Sequence, residues 1–222
     1  MYGGAISLRV LTWNLKHGRS VPSAGRDLLD EFALALAAWN WDVALLQEVP
    51  PWWPALLGAR LGASARMVLT SRNELLPIRR AIARRWPDVS KSNGGGSNAI
   101  LVRSSNVLEH RTLRLARLPE RRWLHAVRLD AGFWIGNLHA SAAASQATHA
   151  ASTMLAWAAG TPAVLGGDFN LRSLELSGFR QAAANGVDYV FCAGPDVVTG
   201  PEVLGRGRLS DHDPVIIAVT AS

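Results

Sequence analysis

The stretch VLGGDFNLRS, residues 164–173, runs from apolar residues through two glycines into a carboxylate, an aromatic ring and an amide. With the preceding TPA it reads as a buried strand that leaves its sheet at Asp168, Phe169 and Asn170. Two readings of that exit compete. Gly, Asp and Asn are turn formers, because Gly and Asn tolerate positive φ and the Asp and Asn side chains bond nearby backbone groups. Alternatively, a carboxylate and an amide fixed at the end of a strand are groups that a binding or catalytic site can use. The stretch fits both, and the rest of the chain has to decide.

Upstream, ISLRVLTWN (6–14) alternates into a strand that ends near Asn14. GRDLLDEFALALAAWN (25–40) spaces Leu28, Leu29, Phe32, Leu36 and Trp39 along one face of a helix. WDVALLQEVP (41–50) is a short apolar run stopped by Pro50 and Pro51, a buried strand with Gln47 and Glu48 at its end. PPWWPALLGARLG (50–62) opens a helix, ARMVLT (65–70) is a strand, Pro77 and Pro87 bracket a short basic helix, and the glycines at 94–96 predict a flexible loop. AILVRSS (99–105), VLEHRTLRLARL (107–118), WLHAVRLDA (123–131) and FWIGNLHAS (133–141) read as successive strands of an antiparallel meander. SQATHAASTMLAWAAG (145–160) is an amphipathic helix, and SLELSGFRQAAANG (173–186) reads as a helix ended by Gly186. VDYVFCAG (187–194) and PVIIAVTA (214–221) supply the last strands. Strands and helices mix without strict βαβ alternation. That pattern predicts two packed sheets with helices outside, an α/β sandwich over residues 1–222, in preference to a doubly wound parallel sheet.

The 222 residues fit one domain, and 49% hydrophobic against 18% charged residues supply a core and exclude a disordered chain. No apolar run is long enough to span a bilayer, and MYGGAISLRVLTWN lacks a charged segment followed by an apolar one. The single Cys192 forms neither an intrachain disulfide nor a cysteine metal site. These features predict a cytoplasmic monomer with no membrane span and no obligate protein partner. The net charge of +6 is uneven: residues 60–128 hold fourteen Arg and Lys91 against Glu74, Asp88, Glu109 and Glu120, a net +11 that leaves −5 elsewhere. Clustered cations of this kind suit a polyanion such as nucleic acid. With 21 Arg and two Lys in an Ala-rich chain, codon bias produces the same pattern.

Several apolar strands end in polar clusters: Asn14, Gln47 with Glu48, His139, and Asp168 with Asn170. A further cluster of Ser210, Asp211, His212 and Asp213 precedes the final strand. Singly, each has an ordinary reading as a turn residue, a solvated strand end or a satisfied core histidine. Jointly, strand ends on one side of a sheet sandwich converge. Hard oxygen ligands such as Glu48 and Asp211 suit Mg²⁺, Mn²⁺ or Ca²⁺ better than zinc. Imidazoles move protons near neutral pH. Such a set suits attack on a phosphate ester, where phosphoryl charge is neutralised while water is activated.

The ordered motifs TWN, LLQE, NLHAS, GGDFN, VDYVF and LSDHDPV, spanning residues 12–215, resemble the endonuclease/exonuclease/phosphatase family. That family includes pancreatic-type deoxyribonucleases, abasic-site endonucleases, deadenylases, sphingomyelinases and inositol-polyphosphate phosphatases. The resemblance implies a deoxyribonuclease I-like four-layer α/β/β/α sandwich and a phosphoesterase dependent on Mg²⁺ or Mn²⁺. It makes Glu48 the main metal ligand, assisted by Asn14 and Asp211. Asp168 would orient or deprotonate the attacking water, and Asn170 would hold that water or a phosphoryl oxygen. His212 would contact the scissile phosphate, oriented by Asp188. His139 matches the deoxyribonuclease and sphingomyelinase branches and would protonate the leaving oxygen or stabilise the phosphate. The family supports either Asp168 or His212 as general base.

Weaker likenesses add substrate contacts. SNGGGSNAIL resembles the family's glycine-containing lead-in to a central strand, which would face Asn98 to the site. Glu120 and Arg122 of LPERRW resemble a charged pair before the strand of the site histidine. Arg172 follows GDFN as it does in some tyrosyl-DNA phosphodiesterase and deadenylase relatives. His17, His110, His125 and His149 match no motif and read as surface or strand residues. Trp52 and Trp53 read as core residues or as a stacking platform. The expected activity is phosphodiester hydrolysis by in-line attack of water, with DNA or RNA as substrate. The rivals are a phospholipid, inositol phosphate or nucleotide substrate. An inactive binding module fits less well, because all six motifs are intact.

Overall fold

The computed structural model describes residues 7–70, 73–86 and 96–220. The elements, in chain order, are β1 (Ser7–Asn14), α1 (Leu29–Ala38), β2 (Val43–Val49), α2 (Trp53–Leu61), β3 (Ser64–Leu69), α3 (Leu76–Arg85), β4 (Ser97–Val102), β5 (Val107–Ala116), β6 (Arg122–Leu129), β7 (Trp134–His139), α4 (Ala144–Ala158), β8 (Ala163–Asp168), β9 (Arg180–Asn185), β10 (Asp188–Ala193), β11 (Asp196–Val203) and β12 (Val215–Thr220). They form two six-stranded sheets, ordered β11-β12-β1-β2-β4-β3 and β5-β6-β7-β8-β10-β9. The two orders follow one scheme. Each sheet has one parallel pair at its centre, β1 with β2 and β7 with β8, bridged by the crossover helix α1 or α4. Parallel neighbours need such a crossover, whereas hairpins supply the antiparallel ones.

Side-chain alternation along the strands sorts three packed layers. Val10, Val43, Leu45, Ile100, Val127, Ile135, Val164, Val190 and Ile217 are buried between the sheets. Leu11, Trp13, Leu46 and Leu101 point the other way, onto Phe32 and Leu36 of α1 and Trp53 and Leu57 of α2. Leu124, Leu138, Leu165 and Phe191 face Ala147, Ala150 and Ala151 of α4. The expected four-layer α/β/β/α sandwich is the observed architecture. Among the described residues no helix is long and apolar enough to cross a membrane.

Three expectations fail. The segment read as a helix over 173–186 holds no helix: 173–179 is loop and turn, and Arg180–Asn185 forms β9, paired antiparallel with β10 from Asn185↔Asp188 back to Arg180↔Cys192. The Ala run favours a helix locally, but the edge of the sheet offers a ladder partner, and Gly186, at φ 65°, makes the tight turn between the two strands. The predicted four-strand meander is split: β5, β6 and β7 are consecutive neighbours, but β4 lies in the other sheet between β2 and β3. Strand β11 is not foreseen by the sequence reading, because it is almost wholly exposed and carries Gly200 and Pro201; it is an edge strand, paired among the described residues with β12. The basic helix α3 lies where Pro77 placed its start, and none of its residues is buried. Most of the glycine loop expected at 94–96 falls outside the described residues.

Candidate active site

The parallel pairs β1/β2 and β7/β8 end at one edge of the sandwich, and the antiparallel strands β4, β10 and β12 begin there. On the inward faces the strands are apolar in the middle and polar at this edge: Thr12 and Asn14 on β1, Gln47 on β2, Asn98 on β4, Asn137 and His139 on β7, Asp168 on β8, Asp188 on β10. All are buried. The ladder registers align His139 with Asp168, and Asp168 with Asp188. Beneath the edge, a polar network fixes the strands. Gln47 Nε2 donates to Thr12 Oγ1 at 3.1 Å and Asn137 Oδ1 at 2.8 Å, and Asn137 Nδ2 donates to the carbonyls of Leu46 and Ala99.

Simple alternation would send Glu48 outward with Leu46. The β2–β4 register shifts between Leu46 and Val49, and Glu48 takes φ 51°. That bulge turns its carboxylate back to the cleft, as bulges beside active sites commonly do. Glu48 Oε1 lies 3.8 Å from His139 Nε2, and Oε2 lies 3.2 Å from His17 Nε2. Five of the seven described non-glycine residues with positive φ sit at this edge: Lys16, His17, Glu48, Asn170 and Ser210. A left-handed conformation costs a non-glycine residue about 1–3 kcal/mol, and such strain concentrates at functional sites.

The deciding stretch delivers Asp168 in a fixed pose. Asn14 Nδ2 donates to its Oδ2 and the Asn170 backbone N–H to its Oδ1, both at 2.9 Å. The Asn170 side chain donates to the Ala140 carbonyl. His212 hangs from the loop before β12. Its Nδ1 is 2.7 Å from Asp188 Oδ2, which leaves Nε2 toward the cleft, 4.0 Å from Asp168 Oδ2. Trp13 Nε1 donates to the His212 carbonyl, and Ser210 Oγ accepts from the His212 N–H while donating to the Asn14 carbonyl. The loop is thereby pinned to β1.

Burial and then the neighbouring Asp188 push the Asp168 carboxyl up to about 6, against the opposing pull of Asn14 and His212. Burial raises Asp188 as well, although its bond to His212 opposes this. For His212, burial alone would lower the pKa; the bond to Asp188 and the charges of Asp188, Asp168 and Asp211 outweigh it and bring it up to about 9. Burial holds His139 well below the ordinary imidazole value, helped by Arg122, His17 and His212. At this edge His212 is therefore held as an imidazolium and His139 as a neutral imidazole, among several carboxylates.

This donor set fits a divalent cation. Ligand atoms of Asp168, Asp188 and His212 lie within 4.8 Å of one another. Asp188 Oδ1 is buried with no hydrogen-bond partner among the described residues. Packed carboxylates whose ionised forms are disfavoured are what a cation relieves. Of the ligands expected from sequence, Glu48 faces the cleft, Asn14 is bonded to Asp168, and Asp211 is half-exposed with its Oδ2 2.5 Å from Lys16 Nζ. Asp213 turns away to Arg206.

The expected substrate contacts divide. Both side-chain amide atoms of Asn98, opposite the Glu48 bulge, are buried without a hydrogen-bond partner among the described residues. Arg122 pairs with Glu120 at 2.8 Å and acts electrostatically on His139. Arg172 is exposed beyond the strand end. Trp53 belongs to the core and Trp52 lies under Arg80. His110 and His125 pair with each other, 3.3 Å apart, His125 lying one strand over from Asn137, and His149 sits on α4. Sequence reasoning passed over Lys16 and His17. Their one signal was position, two and three residues past Asn14 in a turn.

Two mixed sheets packed face to face, with acids, amides and imidazoles gathered at one edge, define a two-sheet phosphoesterase fold. The chain belongs to the endonuclease/exonuclease/phosphatase family, whose model matches residues 11–212. Members of that family are generally divalent-metal-dependent hydrolases of phosphate esters. Among solved structures, the endonuclease/exonuclease/phosphatase from Bacteroides vulgatus is similar at 16% identity, covering 98% of this chain and 100% of that one, with a TM-score of 0.72. That from Beutenbergia cavernae DSM 12333 is similar at 18% identity, 97% and 72% coverage, and a TM-score of 0.68. Truncated TDP2 from Caenorhabditis elegans is similar at 17% identity, 97% and 98% coverage, and a TM-score of 0.66. At these identities the likeness is one of fold. No curated protein matches the chain in sequence.

Proposed function

We propose that this protein is a divalent-metal-dependent phosphodiesterase acting on DNA or RNA. The observation that carries the reading is the inward row His139, Asp168 and Asp188, with His212 Nε2 and Glu48 across the mouth. Glu48 would hold Mg²⁺ or Mn²⁺, flanked by Asn14 and Asp211; the Asp168, Asp188 and His212 group is the competing set of ligands. A cation bound there would neutralise charge on a phosphoryl oxygen as the phosphorus is attacked.

The chain's own groups divide the remaining work. Asp168 accepts one N–H on each oxygen, which fixes its plane and leaves lone pairs to orient and deprotonate a water. His212 has Nδ1 committed to Asp188 and is held cationic, so its Nε2–H suits contact with the scissile phosphate and not proton abstraction. That division favours Asp168 over His212 as the base. His139, buried and neutral, would donate a hydrogen bond to a phosphoryl or leaving oxygen. Asn170 keeps a second N–H and its Oδ1 for the water or the phosphate. Asn98, Arg122 and Arg172 would contact the substrate nearer the rim.

The preference for nucleic acid over a phospholipid, inositol phosphate or free nucleotide rests on the Arg-rich 60–128 segment. Its Arg79, Arg80, Arg84 and Arg85 ride on the unburied helix α3. A hydrolysis screen tests the whole reading: plasmid, single-stranded DNA, RNA, bis-p-nitrophenyl phosphate and phospholipid vesicles, with Mg²⁺, Mn²⁺, Ca²⁺ or chelator. The expected result is metal-dependent cleavage of nucleic acid that weakens steeply with salt. Cleavage of phospholipid alone, or of nothing with any ion, overturns it.

A further inference from the structure

The row of site residues does not stop at His139. The β6–β7 ladder runs as far as Leu124↔Leu138, the next positions along the two strands being Trp123 and His139, and Trp123 is paired with Arg114 of the edge strand β5. Trp123 shares the inward face of β6 with His125, Val127 and Leu129, the face on which β7 carries Asn137 and His139. The sequence Arg114, Trp123, His139, Asp168, Asp188 therefore crosses five adjacent strands on one side of one sheet. With strands about 4.8 Å apart, Trp123 is roughly 10 Å and Arg114 roughly 14 Å from Asp168.

At the far end of that row the β5–β6 hairpin curls into a cleft of about 630 Å³ lined by Arg114, Arg117, Leu118, Arg121 and Trp123. Its volume lies in the range of ligand sites. The Arg114 guanidinium sits over the Trp123 ring, 5.8 Å from its centroid. Leu118, at the hairpin tip, is 84% exposed. Among the described residues no carboxylate lies within ion-pair distance of Arg114 or Arg117. The cleft thus gathers a half-buried indole, an exposed apolar side chain and three guanidinium groups, of which Arg121 also pairs with Glu74 at 3.9 Å. Together they match the two halves of a nucleotide. Aromatic and guanidinium planes stack on a base, and the cations hold the backbone phosphates.

We propose that this cleft is a second nucleotide-binding subsite, which takes an unpaired base and its phosphate from the strand whose scissile phosphate lies at Asp168. The enzyme's substrate is then single-stranded nucleic acid. A duplex keeps its bases stacked inside and offers the cleft phosphates only. The inference rests on the phosphodiesterase reading for its register, because the row places the cleft a few nucleotides from the reacting bond. It does not use the Arg-rich helix α3, so general attraction of a polyanion is a separable effect.

The test uses the full chain with Arg117→Ala and Leu118→Ser, alone and together. Both residues are exposed and neither touches the strand-end acids. Trp123→Ala is added with its thermal unfolding measured, because that ring is half-buried. Hydrolysis with Mn²⁺ is followed on single-stranded oligonucleotides of two to eight nucleotides, on a matching duplex and on bis-p-nitrophenyl phosphate. The expected result is a kcat/KM that rises about ten-fold or more once the strand is long enough to fill the cleft, the size of one stacked base. The double variant should abolish that rise, while dinucleotide and bis-p-nitrophenyl phosphate turnover stays within about two-fold of wild type. Equal losses on duplex and single strand, or an unchanged length dependence, overturn the subsite. Binding of a fluorescent single-stranded hexamer in chelator is measured in parallel by anisotropy. If the wild type cleaves no phosphodiester yet binds the hexamer in a way the double variant loses, the phosphodiesterase reading fails and the subsite stands. If it cleaves and the variants bind as wild type does, the subsite fails alone.

Discussion

The two glycines of VLGGDFN are predicted to differ sharply in what they tolerate. Gly167 has φ 144°, and a Cβ there would lie 1.8 Å from the Leu138 carbonyl oxygen and 2.8 Å from its carbon. These are backbone atoms of the adjacent parallel strand, in register with Gly167, so no rotamer change relieves the clash. Holding an alanine in this φ region, which suits glycine, costs about 1–3 kcal/mol. Overpacking that forces a backbone shift costs about 1–3 kcal/mol more. Gly167→Ala should therefore lose about 4 kcal/mol, a large share of the roughly 5–15 kcal/mol that stabilises a typical domain. Gly166 is the control. Its Cβ would meet Leu45 Cδ1 at 2.7 Å, the end of a flexible side chain, and otherwise only ordinary contacts. Gly166→Ala should cost about 1 kcal/mol or less, since reduced freedom of the unfolded chain offsets part of the repacking. Urea unfolding of the three proteins, followed by circular dichroism, reads the difference, and thermal midpoints should separate by several degrees. Any folded Gly167→Ala should also lose activity, because the clash drives β8 from β7 and so parts Asp168 from His139. If Gly167→Ala unfolds within about 1 kcal/mol of Gly166→Ala, the reasoning from backbone contact is wrong.

Four further outcomes are expected. Glu48→Gln keeps shape and removes one negative charge from the cleft, so Mn²⁺ affinity measured by calorimetry should fall while the unfolding midpoint holds; equal affinities would remove Glu48 from the metal. Asp168→Asn should cut phosphodiester turnover by at least about 10²-fold with the fold retained, whereas a residue that serves only a turn would leave kcat unchanged. Replacing Arg79, Arg80, Arg84 and Arg85 by Gln should raise KM for nucleic acid and flatten its salt dependence without slowing a small phosphodiester; equal losses on both substrates would make the cluster structural. His125 is fully buried, and burial, then His110, brings it down to about 3. The unfolded chain thus binds a proton below about pH 6.5 that the fold refuses, and stability present above that pH is lost as it falls toward 3, by about 2 kcal/mol between pH 8 and pH 5. His125→Leu should remove that part of the acid sensitivity in urea titrations at the two pH values, and parallel curves for the two proteins would refute it.

The sequence by itself determined the strands that are apolar on both faces and the residues that end them. Asn14, Glu48, His139 and Asp168 could be picked out because a polar side chain at the end of a continuous apolar run is conspicuous in one dimension, whereas Asp188 came only with the resemblance carried by VDYVF. The mixture of strands and helices predicted two packed sheets, and the resemblance carried by the six motifs added the four-layer order. What one dimension cannot carry is which strand lies beside which. The Ala-rich segment 180–185 is helical by local preference and becomes β9 because β10 offers a ladder. AILV (99–102) reads like its neighbours in the meander and yet joins the other sheet. Exposed β11, interrupted by Gly200 and Pro201, is a strand through its ladder with β12. The fine placement of the site is of the same kind. Glu48 faces the cleft through a bulge that reverses its parity, and Lys16 and His17 reach Asp211 and Glu48 through a left-handed turn. Trp123 and His139 are the positions next to the last β6–β7 ladder pair, Leu124↔Leu138, which strand register alone sets. Apolar burial is a property of each residue and its near neighbours, so it leaves a trace in the sequence. Register, bulges and sheet membership are settled between segments far apart in the chain, where backbone hydrogen bonds carry no record of side-chain identity.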